Sequence, residues 1–128
     1  MASVQLAAIV ACAILAGLGL FQAALIGGAP LGRMAWGGQH DVLPARLRIG
    51  SAVSVALYTL FAYTALARAQ MAPPAVNETA TAVFAWVLAG YFTLGAVMNG
   101  ISRSKPERLV MTPVALVLAV LYLVLSLG

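Results

Sequence analysis

LAAIVACAILAGLGLFQAALI, residues 6–26, decides the fold: it holds no charge and only one amide, Gln22. As a helix it would rise about 30 Å, the thickness of a bilayer's hydrocarbon core. Three more runs of similar length follow. Residues 49–67 are apolar with Ser and Thr, residues 80–101 are broken by Thr81, Thr93 and Asn99, and residues 109–127 by Thr112 and Ser126. Inside lipid every backbone polar group must be satisfied within the segment, which helices achieve. No ten-residue stretch alternates with period two, so a barrel is rejected. The expected fold is all-α, a four-transmembrane-helix bundle in a single integral membrane domain over 1–128.

Composition agrees. The 128 residues are 63% hydrophobic and 8% charged, with a mean hydropathy of +1.03. A soluble domain needs far more polar surface. The net charge of +4 would suggest nucleic acid in a soluble protein. Here the basic residues flank apolar spans, as membrane topology requires, and no nucleic-acid partner is expected. The lone Cys12 permits no intrachain disulfide and reads as a small packing residue. With His40 the only histidine, an all-protein zinc site is not expected, nor is any other metal or cofactor.

Charge sets the direction of the spans. Loop 27–48 carries Arg33, Arg46 and Arg48, loop 102–108 carries Arg103, Lys105 and Arg108, and loop 68–79 carries Arg68 alone. Six of the seven basic residues thus fall on one side, which the positive-inside rule makes cytoplasmic. The expectation is a multi-pass inner-membrane protein with both termini outside. The N-terminal run lacks a basic start and is too long for a signal-peptide core, so it reads as a retained span. No myristoylation or CaaX signal is visible. The sequon Asn77-Glu78-Thr79 gets little weight in a chain this alanine-rich and compact.

Helix-end signals fit the map. Pro44 and Pro106 mark the starts of spans two and four, Asp41 is a candidate cap for span two, and Asn77 or Thr79 for span three. Ser104 and Glu107 have the spacing of a capping box. Pro73-Pro74 marks the outer turn. Pro113 either kinks span four or begins a restarted helix capped by Thr112.

Lipid tails are as apolar as leucine, so helices associate in a membrane by close packing and interhelical hydrogen bonds. Small and polar residues at three-four spacing give each span a stripe expected to face inward or toward a second protomer. Span one offers Ala8, Cys12, Ala16, Gly19, Ala23 and Gly27. Span two offers Ser51, Ser54, Tyr58, Ala62 and Ala65. Span three offers Ala82, Ala85, Ala89, Thr93, Ala96 and Gly100, and span four Thr112, Ala115, Ala119, Tyr122 and Ser126. Gln22, Ser51, Ser54, Tyr58, Thr93, Asn99, Thr112 and Tyr122 are the candidate packing or pore-lining groups. A faint repeat aligns span one with span three, with Leu15-Ala16-Gly17 on Leu88-Ala89-Gly90. It would be a weak 2+2 parallel repeat about an axis normal to the bilayer.

Loop 27–48 is longer than a hairpin needs and is rich in glycine. Glycine allows left-handed backbone and close approach. Arg33, Arg46 and Arg48 could hold a phosphate or carboxylate. Trp36 and Gln39 lie beside them, and His40 next to Asp41 could serve as a base or a switch. Ordinary topology explains the same arginines and Trp36. Gln22 and Asn99, the most costly polar residues within spans, lie toward this loop and more often glue helices than bind substrate. No span carries a central charge, which disfavours proton relays and voltage sensing.

Gly28-Ala29-Pro30-x-Gly32-x-x-Ala35-Trp36-Gly37-Gly38, then Leu43-Pro44-x-x-Leu47-Arg48-x-x-Ser51 and Glu107-Arg108-x-x-Met111-Thr112-Pro113, resembles a pattern that recurs in small bacterial four-span membrane proteins of uncharacterised function. The resemblance covers the whole chain and implies a bacterial inner-membrane protein. It supplies no catalytic residue to carry over.

The leading expectation is an oligomeric transport, channel-like or binding protein that takes a small anion or an anionic lipid headgroup at its cytoplasmic loop. Four short spans enclose little volume alone, so a homo-oligomer is expected. The rival is an accessory or scaffold subunit of a larger membrane complex. A lipid-modifying enzyme ranks third, because no nucleophile and no second carboxylate clusters near His40.

Overall fold

The computed structural model describes residues 3–128. It is all-helical, with four long helices: α1 (Ser3–Ile26), α2 (Ala45–Arg68), α3 (Glu78–Gly100) and α4 (Lys105–Leu127). Each is long and apolar enough to cross a membrane. The helices outrun the apolar segments because hydropathy marks the bilayer core, whereas helix ends follow capping. At α2 the helix begins four residues before the apolar run and includes Arg46 and Arg48.

The helices form an antiparallel ring. α1 packs chiefly on α2 and α3 on α4, while α1 also meets α4 and α2 meets α3. Opposed pairs fix the directions: Cys12 Sγ reaches the Ala62 carbonyl at 3.6 Å, and Gln22 Nε2 donates to Tyr58 Oη at 3.4 Å. The buried core runs through Ala8, Ala11 and Leu15 of α1, Phe61 and Ala65 of α2, Leu88 and Phe92 of α3, and Leu118, Tyr122 and Leu125 of α4. Alanines let the backbones approach, and aromatics fill the space between hairpins. Phe92 meets Phe61 edge-on at 5.8 Å and Tyr122 at 5.4 Å. Such pairs contribute about 0.5–1.5 kcal/mol each beyond simple burial.

The stripes of small residues hold in large part on α2, α3 and α4 and drift on α1. Ser51 and Ala65 of α2 are buried, as are Ala115, Ala119, Tyr122 and Ser126 of α4. On α1 the inward face is Ala7, Ala8, Ala11, Leu15, Gln22 and Leu25, while Ala16, Ala23 and Gly27 are exposed. On α3, Ala85, Ala89 and Ala96 of the stripe are buried, and Thr93 and Gly100 are exposed. The α1 stripe is built mostly of +4 steps, each about 40° beyond a full turn, so it leaves the face it starts on.

Capping follows the expectations only in part. Asn77 caps α3, its Oδ1 accepting from the Ala80 N–H at 2.7 Å. Asp41 does not cap α2: the cap position is Pro44, without a side-chain bond, and Asp41 is paired with Arg33 at 2.9 Å. Nor does Ser104 form a capping box with Glu107. It makes no side-chain cap bond, because its hydroxyl donates to the Arg33 carbonyl of the long loop. Pro113 lies inside one continuous α4, so Thr112 does not begin a new helix.

Candidate functional site

One end of the bundle is not filled. A cavity of about 230 Å³ runs from the long loop down between all four helices to Tyr58, Phe92 and Leu118. Glu107 and Leu118, both lining it, are eleven residues apart on α4, which makes the chamber roughly 16 Å deep at 1.5 Å per residue.

Its roof is the long loop. The loop is closed on itself by the Gly32 N–H donating to the Asp41 carbonyl at 2.8 Å. A side chain at Gly32 would run into the carbonyls of His40 and Asp41, so the closure requires glycine. The Ser104 hydroxyl on the Arg33 carbonyl ties the loop to the start of α4. Trp36, at φ 52°, takes a left-handed conformation that is uncommon outside glycine. Its Nε1 donates to Ser51 Oγ at 3.3 Å. Its ring lies on Gly50, where any Cβ would collide with the indole. Met34, Ala35 and Trp36 thereby cap the chamber.

The walls are aromatic: Phe21, Tyr58, Tyr91 and Phe92 all line the space. Among them stand Gln22, Ser54, Asn99 and Glu107. Ser54 is satisfied by the Gly50 carbonyl at 3.1 Å. Gln22 and Glu107 are not: both side chains are buried, at 8% and 9% exposure, and Gln22 Oε1 and Glu107 Oε2 have no hydrogen-bond partner. Buried polar atoms normally find partners, and leaving a buried carboxylate oxygen without one is costly. Two such atoms in the walls of one cavity mark it as the candidate site.

The sequence-predicted residues divide. Gln22, Trp36, Ser54, Tyr58 and Asn99 come together around the chamber. Ser51 is buried behind Trp36. Tyr122 sits deeper in the core, donating to the Phe61 carbonyl at 2.5 Å. Thr112 is half-buried with an unpartnered hydroxyl, and Thr93 faces outward, its hydroxyl bonded back to the Ala89 carbonyl. The charged residues of the loop stay outside the chamber. Arg33 and Asp41 form an exposed pair, Arg48 Nε holds the Leu43 carbonyl at 2.8 Å, and Arg46 and Gln39 are exposed. His40 is half-buried. Among the described residues no group of three His, Cys, Asp or Glu could hold a metal ion.

Glu107 and the aromatics Phe21, Tyr91 and Phe92 are the site residues that sequence reasoning missed. Glu107 was legible as the one carboxylate in the first turn of span four, but its spacing from Ser104 pointed to a cap. The chain matches no family model, and no curated protein or solved structure matches it either.

Proposed function

We propose that the protein sits in a bacterial inner membrane and binds a small ligand in the chamber between its helices. The ligand enters from the cytoplasmic side, where loops 27–48 and 102–108 lie. The observation that carries this reading is the coincidence of unpartnered Gln22 Oε1 and Glu107 Oε2 with one aromatic-lined cavity. Small-ligand sites are mostly apolar concavities with a few polar groups aimed inward. The arginines take a separate part, meeting anionic lipid headgroups at the interface, since they flank the roof and do not line the chamber. Carriage of the ligand across the bilayer would require opening the packed aromatic layer of Phe61, Phe92 and Tyr122 below it.

A second reading rests on a groove of about 390 Å³ on the outer faces of α3 and α4, lined by Trp86, Ala89, Gly90, Thr93 and Ala119 among others. Small residues there would let a further helix approach, from a second copy or from a larger complex.

Labelling tests the chamber. In a Cys12→Ser background, Ser54→Cys should react with a membrane-impermeant thiol reagent in inverted vesicles and not in spheroplasts, while Ala65→Cys, in the sealed core, should react in neither. Labelling of Ser54→Cys from the opposite side, or not at all, contradicts the proposal.

A further inference from the structure

The geometry points to an organic ammonium ion bearing one aromatic ring as the chamber's ligand, an inference that rests on the chamber being a binding site. Glu107 is the only charged side chain lining the cavity. Among the described residues the one ion pair is Arg33–Asp41, outside it. Glu107 Oε2 is withdrawn from water with no hydrogen-bond partner and no countercharge, which is destabilising, and a cationic ligand supplies the missing partner. Glu107 also lies in the first turn of α4, where the helix dipole favours a negative charge.

Hydrogen bonding agrees. Gln22 Nε2 is engaged with Tyr58 Oη, which leaves its Oε1 as a second free acceptor. An ammonium group carries N–H donors for both oxygens, and an anion carries none. Turning the Gln22 amide over would exchange its two roles, so the sign of the site rests on Glu107. The two oxygens of Glu107 exchange by rotation about its last torsion, whose profile is broad and roughly two-fold.

The walls and the volume set the rest of the ligand. Rings of Phe21, Tyr58, Tyr91 and Phe92 surround the space, and aromatic faces attract cations. A dry cavity of about 150 Å³ takes up one benzene. At about 230 Å³ this chamber has room for one ring and a short aminoalkyl arm.

The test is calorimetry on the purified full chain in lipid nanodiscs with three probes of one shape: phenethylammonium chloride, 2-phenylethanol and sodium 3-phenylpropionate. The ammonium should bind roughly thirtyfold or more tightly than the alcohol, and the carboxylate should not bind measurably. Glu107→Gln, which keeps the side chain's shape, should bring the ammonium down to about the alcohol's affinity. Gly95→Leu, which fills the chamber, should abolish binding of both. Alcohol or carboxylate binding as tight as the ammonium, or an unchanged ammonium affinity in Glu107→Gln, overturns the ligand class and leaves the chamber standing. Ammonium binding that survives Gly95→Leu, or no binding by any probe, overturns the chamber as well.

Discussion

At the end of the bundle where α2 and α4 stop, polar groups close on one another. Tyr122 donates to the Phe61 carbonyl at 2.5 Å, Ser126 Oγ to the Tyr122 carbonyl at 2.7 Å, and Arg68 Nη2 to the Ser126 carbonyl at 3.2 Å. At the opposite end the chamber lies between the helices, and Gln22, Glu107 and Thr112 each keep a buried atom without a partner. Arg68 Nε is the exception at the closed end, and the same guanidinium is anchored through Nη2. One end is built as a core. The other keeps unsatisfied groups, and proteins tolerate such costs where function needs them.

The contrast can be broken first at the closed end. Tyr122→Ala removes a fully buried ring together with its hydrogen bond. It should cost about 3 kcal/mol, near the low end for such truncations because lipid rather than water is the ring's alternative surrounding. Thermal unfolding in detergent reads this directly, and a loss below about 1 kcal/mol would mean the closed end is not a packed core. Gly50→Val should cost about 1–2 kcal/mol by overpacking, because its side chain meets the indole of Trp36. In a Trp86→Phe background the remaining Trp36 emission should shift to the red as the ring is pushed into solvent; an unshifted spectrum would remove Trp36 as the roof. Asp41→Asn should change stability least, by about 0.5 kcal/mol or less, since the Arg33–Asp41 pair is solvent-exposed. A larger loss would show that the ion pair, rather than the Gly32–Asp41 backbone closure, holds the loop.

The legibility of the two ends also differs. The four spans were plain in the sequence because twenty apolar residues have few other uses, and Asn77 announced the start of α3 by local spacing alone. Gln22 and Asn99 were correctly placed toward the long loop, since position along a span fixes depth. Glu107 was misread for an instructive reason. Ser104-x-x-Glu107 is a local pattern, but the Ser104 hydroxyl goes to the Arg33 carbonyl, 71 residues away in sequence, and the Ser104 N–H that Glu107 would cap donates to Ser102 Oγ at 3.2 Å. Without its capping partner, Glu107 turns toward the chamber. Likewise the inward face of α1 depends on which neighbour the helix meets, and a ladder of alanines in an alanine-rich chain cannot choose among several faces.

The measurement that tests the account most directly is the unfolding temperature of Glu107→Met beside the unaltered protein, without ligand. Methionine keeps most of the length and removes the unpartnered carboxylate. If Glu107 is held at the expense of the fold to meet a ligand, the variant should be more stable by about 1 kcal/mol. A variant that melts at a clearly lower temperature would show that Glu107 supports the fold, and would contradict the reading of the open end as a binding site.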